Sequence, residues 1–288
     1  MTGQGGVIDA HHHLWDPAQR PQPWLWEAGM AALHRPFGTG DLEAATADAG
    51  VVGTVLVQVL PELAETVDFL AVAARTPLVA GVVGWVDLTR GADAVAEDLA
   101  RLRSAPGGEY LVGVRHLVQG EEDPRWLCRP EVRDGLTAVE EAGLVYDLLV
   151  LPHQLPAAVE TVRALPGLRF VLDHLAKPPI ADGTREPWAA LLRQLAAEPG
   201  VSCKLSGMVT EAEWSGWTVE ALRPYAEVAL AAFGPDRVLF GSDWPVCLAA
   251  ASYTDVLGAA RELTAALTAA ERAAVFGGNA RRVYGLKG

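Results

Sequence analysis

Eight short apolar runs, rich in valine and leucine, recur along the chain and are separated by segments with helical periodicity or turn residues. Most of these runs are almost continuously apolar, which is typical of parallel strands buried on both faces. The pattern predicts strands at residues 7–13, 54–59, 79–88, 111–118, 144–151, 169–175, 201–208 and 238–244.

The segments between the runs carry the 3.6-residue periodicity of amphipathic helices. The segment 186–197 places Trp188 and Leu195 on one face, and Pro187 lies in its first turn. Further helices are predicted at residues 41–49 before Gly50, from Pro130 to near Gly143, around Val95, Leu99 and Leu102, and after Thr268, whose spacing to Glu271 is that of a capping box.

Strands that alternate with helices eight times predict an α/β fold of the (β/α)8, or TIM, barrel type, built as a single domain over residues 1–288. Barrels of this type commonly use about 250 residues. A doubly wound sheet is the main rival, but it usually carries a G-x-G-x-x-G turn after a strand, and none follows a predicted strand here. No repeat, low-complexity segment or linker indicates a domain boundary.

The interval after the first strand, residues 14–40, lacks helical periodicity and is rich in proline and aromatic residues. Its rings are those of Trp15, Trp24, Trp26 and Phe37. A loop of this length is usually a lid or a pocket wall, and flat apolar rings suit the face of a sugar. The alternative is that the rings only cover the barrel mouth by packing.

Polar side chains gather at the carboxyl ends of the predicted strands, where barrels of this type carry their chemistry. In VIDAHHHLW, His11 and His13 point to the same face of a strand, whereas His12 points to the other face. Such a pair is half of a metal site or a clamp for an oxyanion. Asp243, near the end of the eighth run, adds a carboxylate that with the two histidines can hold a water molecule for attack on a carbonyl, with a helix N-cap as its alternative role.

His174 follows the sixth strand and completes the expected catalytic set, with a core histidine bonded to backbone as the alternative. Arg115 and Lys204 are each expected to bind a substrate oxygen, and for each the alternative is an ion pair with a carboxylate. The predicted substrate-binding residues are Trp15, Trp24, Gln58, Trp85, Arg115, His116, Tyr146, Asp147, His153, Lys204 and Trp244.

Composition narrows the classes of partner. A formal net charge of −13 argues against nucleic acid and anionic membranes, both of which bind basic patches. Three widely spaced cysteines without a CxxC pair argue against a disulfide framework. Because we find neither a basic, apolar leader nor a run of about 18 apolar residues, we expect a cytoplasmic protein. The oligomeric state is left open.

The ordered motifs DAHHHLWDP, VGWVDL, GVRHLVQ, YDLLVLPHQLP, FVLDHLAKPPI, CKLSG and FGSDWPV resemble the amidohydrolase superfamily. More narrowly, they resemble amidohydrolase-related family 2 and its sugar-lactonase branch, which includes L-fuconolactonase and L-rhamnonolactonase. The resemblance covers nearly the whole chain and implies hydrolysis of an aldonolactone, a small-molecule substrate, to the open acid. It also implies that His11, His13 and His174 bind a metal or polarise the carbonyl and that Asp243 is the general base.

The fifth strand departs from the superfamily pattern. It reads LVYDLLVL and lacks the histidine that many members place there, and His153 lies beyond it. A two-metal centre is therefore not expected. The resemblance leaves two versions of the site, one with a single divalent ion, zinc before others, on His11, His13, His174 and Asp243, and one that works without metal. Alternative functions are a metal-dependent decarboxylase of the same superfamily, a hydrolase of a non-sugar lactone such as a pyrone dicarboxylate, and a non-catalytic sugar-acid binder.

Overall fold

A computed structural model describes residues 6–26 and 29–287 and shows the predicted single-domain barrel. Eight parallel strands pair in chain order, each with the next. A backbone bridge between His12 and Trp244 joins the last strand region to the first, and the His13 N–H donates to the Trp244 carbonyl at 2.7 Å. The strands are β1 (Val7–His12), β2 (Val51–Val57), β3 (Val79–Gly84), β4 (Leu111–His116), β5 (Val145–Leu148), β6 (Arg169–Leu172), β7 (Val201–Leu205) and β8 (Val238–Phe240).

All eight predicted strands are present, but each prediction runs one to four residues past the carboxyl end. The most instructive case is β8, which ends at Phe240, whereas the apolar pattern runs on to Trp244. The chain beyond Phe240 stays buried although it no longer pairs as a strand. Burial therefore continues into the loops that carry the polar residues, and hydrophobic pattern alone does not mark the end of each strand.

Helices connect consecutive strands, as the alternation predicted. The helices are α1 (Thr39–Thr46), α2 (Leu63–Ala73), α3 (Ala92–Ser104), α4 (Pro130–Glu141), α5 (Leu155–Ala164), α6 (Trp188–Ala196), α7 (Met208–Glu211), α8 (Val219–Phe233), α9 (Tyr253–Leu263), α10 (Ala269–Ala273) and α11 (Asn279–Tyr284). The five predicted helices correspond to α1, α3, α4, α6 and α10. The capping box before α10 is confirmed, since Thr268 accepts from the Glu271 N–H and the Glu271 carboxylate accepts from the Thr268 N–H at 2.7 Å.

The core has two layers. One large apolar cluster lies between the sheet and the surrounding helices. A second, smaller cluster fills the barrel interior with residues such as Ile8, Val55 and Leu239. The C-terminal segment contributes Ala280 and Tyr284 to this inner cluster, so α11 closes the amino end of the barrel and leaves the carboxyl end for the site.

Up to Thr39, where α1 begins, the interval after β1 forms no α-helix among its described residues, as predicted. It contains two short 3-10 helices, Pro23–Trp26 and Met30–Leu33. An antiparallel bridge between Trp15 and Phe37 ties its two ends together. The expectation that no leader precedes the barrel rests on residues 1–5, which lie outside the described part. Within that part, no helix has the length and apolar character needed to cross a bilayer.

Candidate active site

A register shift in β1 directs both His11 and His13 into the barrel. Ile8 and Ala10 already pack in the barrel interior, so simple alternation would send the side chains of His11 and His13 outward. The pairing of β1 with β2 shifts between residues 9 and 12, which inserts an extra residue as in a β-bulge. The shift reverses the alternation and brings the two imidazoles to the barrel axis.

The Asp9 carboxylate holds this shift in place. Its Oδ1 accepts the His11 N–H at 3.1 Å and the Ser242 N–H at 2.8 Å, and its Oδ2 accepts the Tyr253 hydroxyl at 3.1 Å. Burial raises the pKa of Asp9 to about 6. One carboxylate thus fixes the backbone of β1 relative to the loop after β8. That loop carries Asp243, the residue after Ser242.

Three histidines converge on Asp243 at the floor of the barrel mouth. The His11 and His13 Nε2 atoms lie 3.1 Å apart. Asp243 Oδ1 is 3.4 Å from His13 Nε2 and 3.8 Å from His11 Nε2. His174 Nε2 is also 3.8 Å from Asp243 Oδ1. Within the described residues, His11, His174 and Asp243 form a group whose donor atoms all lie within 4.8 Å of one another, as the ligands of a single metal ion do.

His174 and Asp243 both have left-handed backbone conformations. Residues 174–177 all have positive φ, from 49° to 57°, and φ at Asp243 is 57°. For side chains other than glycine this conformation costs about 1–2 kcal/mol per residue, and such strain is concentrated at functional sites. Gly207 leaves room for the imidazole, because a Cβ there would lie 2.6 Å from His174 Nδ1.

Cationic donors face both ring nitrogens of His11. Arg115 Nη1 lies 3.2 Å from His11 Nε2, and Lys204 Nζ lies 3.1 Å from His11 Nδ1, which is also 3.2 Å from Asp173 Oδ1. His13 Nδ1 donates to the Val57 carbonyl at 2.8 Å. In a neutral ring, His13 Nε2 therefore presents a lone pair toward Asp243.

A buried charge network lies directly beneath His11. Lys204 Nζ contacts Asp147 Oδ2 at 2.5 Å and Asp173 Oδ1 at 2.8 Å, and all three side chains have 0% exposure. The Tyr284 hydroxyl donates to Asp147 Oδ1 at 2.8 Å. Arg115 Nη1 donates to Asp173 Oδ2 at 2.9 Å. The network joins α11, at the amino end of the barrel, to the histidine cluster.

The pKa shifts in the network follow from burial and charge. Burial raises the pKa of Asp147 to about 6, although Lys204 opposes the shift. At Asp173, burial would also raise the pKa, but Lys204, His11 and Arg115 together hold it well below the ordinary value. Asp173 is therefore the permanent counter-ion of the two cations.

Two histidines of the cluster, His11 and His174, are held neutral. Burial lowers the pKa of His174 to about 4 and that of His11 well below its ordinary value. At Asp243, burial would raise the pKa, but contacts with His174 and His13 outweigh it and lower the pKa. His11 and His174 thus offer neutral imidazoles beside an ionised Asp243 carboxylate, which is the protonation state that suits metal ligands and a general base. His12, on the other face, has no hydrogen-bond partner for either ring nitrogen among the described residues.

A cavity of about 260 Å³ opens above the cluster. Of the predicted site residues, His13, Trp24, Arg115, His174 and Asp243 line it. The remaining lining residues are Met30, Val59, Leu117, Gln119, Leu149, Lys177 and Val246. The cavity therefore has a polar floor and a largely apolar wall.

Several residues predicted to contact substrate lie below or away from this cavity. Gln58, Tyr146, Asp147 and Lys204 have 0% exposure and do not line it. Gln58 Oε1 accepts from Arg115 Nη2 at 3.0 Å, so it positions the guanidinium. The structure places these four side chains in supporting positions, and their direct contact with substrate stays a prediction. His153 is exposed in the turn after β5 and does not line the cavity either.

The aromatic residues divide between wall and packing. Trp24 lines the cavity, with its ring edge-on to Trp15 at 5.1 Å. Trp15 packs against Phe37, and Phe37 against Trp244, each pair edge-on. Trp15 and Trp244 therefore pack in a group that secures the first loop, and neither ring lines the cavity.

Trp85 and His116 form a separate packed group at the ends of β3 and β4. The Trp85 indole N–H donates to His116 Nδ1 at 3.0 Å, so His116 Nε2 carries the proton that it donates to Glu121 at 2.8 Å. The His116 ring also stacks on Trp126. Neither Trp85 nor His116 lines the cavity.

Sequence reasoning assigned no role to Asp9, Gln119, Asp173 or Tyr284. The sequence could have indicated a role for Asp9, since it is a carboxylate inside an apolar strand, where an unpaired charge is costly. It could not have indicated one for Tyr284, because only the folded chain brings the last helix to Asp147.

A barrel with three histidines and an aspartate at its carboxyl end defines an amidohydrolase-type site. The amidohydrolase family model matches residues 8–286, and the chain belongs to that family. The L-fucono-1,5-lactonase of Burkholderia ambifaria is 41% identical over 283 residues, which are 96% of this chain and 94% of that protein. The L-fucono-1,5-lactonase of Burkholderia multivorans is 39% identical over 290 residues, covering 97% of this chain and 96% of that protein.

Comparison with solved structures supports the same family. A crystal structure of an amidohydrolase from Burkholderia multivorans with bound zinc matches at a TM-score of 0.91 and 37% sequence identity. The match covers 98% of this chain and 99% of that one.

Proposed function

We propose that the protein hydrolyses a sugar lactone, L-fucono-1,5-lactone or a near relative, to the open sugar acid. The observation that carries the proposal is the convergence of His11, His13 and His174 on Asp243 at the floor of a small cavity. The full-length similarity to L-fucono-1,5-lactonases supports the choice of substrate.

The cavity suits one small ring with a polar and an apolar side. Its volume of about 260 Å³ lies below the range typical of drug-sized ligands. Val59, Leu117 and Leu149 form an apolar wall that can take the methyl group of a 6-deoxy sugar lactone. We therefore expect a lactone that bears a methyl group to be preferred over the analogue that bears a hydroxymethyl group.

In the proposed mechanism, Asp243 accepts the proton of a water molecule as that water attacks the lactone carbonyl. Arg115 lines the cavity as a fixed cation and stabilises the oxyanion that develops. The tetrahedral intermediate then collapses, the bond from the carbonyl carbon to the ring oxygen breaks, and Asp243 returns its proton to that oxygen. One turnover consumes one water and yields the hydroxy acid.

The site residues fit a single divalent ion. The Nε2 atoms of His11, His13 and His174 lie 3.4 to 3.8 Å from Asp243 Oδ1 and form with it a nitrogen and oxygen donor set of the kind that zinc prefers. When bound, zinc would supply Lewis acidity to the carbonyl or the water. Arg115 Nη1 competes for the His11 Nε2 lone pair, so the guanidinium and the ion are alternative partners of that nitrogen.

The test of the function is an aldonolactone panel with a pH indicator, since opening a lactone releases a proton. We expect turnover of L-fucono-1,5-lactone, and a decarboxylase would instead release carbon dioxide. Asp243→Asn should lower kcat by about 10²- to 10⁴-fold without changing the circular dichroism spectrum. Asp68→Asn, at an exposed ion pair with Arg20, is the matched control. Near wild-type turnover by Asp243→Asn would remove it as the base.

A further inference from the structure

Gln119 lies in the cavity wall and has no role in the steps above. We infer that its carboxamide binds a ring hydroxyl of the lactone and selects hydroxylated lactones over unsubstituted ones. This inference rests on the proposed lactonase function and adds a residue that determines specificity.

Outside the cluster of His13, His174 and Asp243, the charged and amide side chains that line the cavity are paired within the described residues, with one exception. Arg115 donates to Gln58 and Asp173, and Lys177 Nζ donates to Glu211 at 3.0 Å. In contrast, Gln119 Oε1 is buried and has no hydrogen-bond partner within the described part of the chain. An unpaired buried acceptor costs about 1–3 kcal/mol, so this atom gains more from a ligand donor than any paired group of the wall does.

The backbone around Gln119 is rigidly held. The Gln119 N–H donates to the Leu149 carbonyl at 3.0 Å. Gln154 has 0% exposure, and its Nε2 donates to the Val118 carbonyl at 2.7 Å. The loops after β4 and β5 are therefore locked to each other. A polar group on a fixed backbone binds a ligand at a small entropic cost, which is the property of a recognition residue.

The chemistry of the carboxamide matches that of a hydroxyl group. Each group both donates and accepts a hydrogen bond. The last torsion of a glutamine is broad, so the carboxamide can turn either polar atom to the cavity. A lactone without ring hydroxyls leaves the group unpaired, and a site built around a hydrogen bond discriminates strongly against such an analogue.

The experiment compares two substrates across four proteins. L-fucono-1,5-lactone and unsubstituted δ-valerolactone are assayed with wild type, Gln119→Leu, Gln119→Glu and the exposed control Gln19→Leu. We expect Gln119→Leu to lower kcat/KM for the sugar lactone by roughly 10- to 100-fold and to leave δ-valerolactone within about twofold of wild type. Gln119→Glu keeps an acceptor for a hydroxyl donor, so it should recover part of the loss.

Each outcome distinguishes the two proposals. Equal losses on both substrates would show that Gln119 only maintains the fold, and no loss on either would show that it does not contact the sugar. Both results overturn the inference while the lactonase function stands. If wild type opens δ-valerolactone but not the sugar lactone, the proposed function itself fails, and the inference fails with it.

Discussion

Replacing Lys204 with methionine tests whether the buried charge network supports the site. Lys204 Nζ lies 2.5 Å from Asp147 Oδ2 and 2.8 Å from Asp173 Oδ1, and neither carboxylate reaches solvent. Methionine fills a similar volume but leaves both carboxylates without their shared cation. Arg115 remains for Asp173, whereas Asp147 keeps only the Tyr284 hydroxyl.

The magnitude follows from the cost of breaking a buried ion pair. Removing one partner of such a pair typically costs about 3–5 kcal/mol, because the other charge stays desolvated. For a chain of this length, that loss lowers the melting temperature by roughly 10 °C. The double variant Lys204→Met, Asp147→Asn should regain much of the loss, since the neutral amide no longer needs a cation and can still accept from the Tyr284 hydroxyl.

The assay is urea unfolding monitored by tryptophan fluorescence, for wild type, the two single variants and the double variant. Lys177→Met is the control, because Lys177 pairs with Glu211 at the partly exposed mouth and its loss should cost less than about 1 kcal/mol. A Lys204→Met loss below about 1 kcal/mol, or a double variant no more stable than the single, would refute the interpretation that Lys204 is the required counter-ion.

Two further predictions concern protonation and metal. Burial raises the pKa of Glu65 from 4.5 to about 7, so ionising it should destabilise the fold progressively as pH rises from 4.5 through 7, by on the order of 3 kcal/mol in total. Glu65→Gln should therefore gain stability over wild type between pH 5 and pH 8 in urea unfolding, whereas the exposed control Glu62→Gln should not; a pH-independent difference would contradict this. Elemental analysis should find about one zinc ion per chain, and zinc added after chelation should raise the melting temperature of wild type but less that of His174→Asn. If zinc leaves the wild-type melting temperature unchanged, the site does not bind the ion. Lactone assays on the metal-free protein then measure the activity that Arg115 supports without a metal.

The barrel and the position of its site could be predicted because both depend on local pattern. Continuous apolar runs separated by amphipathic segments identify buried parallel strands, and chemistry at the carboxyl ends follows from the fold. His11, His13, His174 and Asp243 could be found in this way, since each follows or ends an apolar run.

The division between residues that contact substrate and residues that support them could not be predicted. A polar side chain near a strand end can point into the cavity, as Arg115 does, or lie beneath its floor, as Lys204 does. The sequence pattern identifies the strand, but it does not show how deep along the barrel axis each polar side chain lies. That depth depends on strand stagger and on α11, whose Tyr284 reaches Asp147 from the opposite end.

The histidine pair shows how a correct prediction can rest on an incomplete reason. Alternation along one strand correctly puts His11 and His13 on one face, but continued from Ile8 and Ala10 it would make that face the outer one. The register shift between residues 9 and 12 corrects the direction, and Asp9 fixes the shift by accepting the His11 N–H. The carboxylate that interrupts the apolar strand is therefore what turns a pair of neighbouring histidines into one wall of a site, and the same carboxylate holds the loop that carries Asp243.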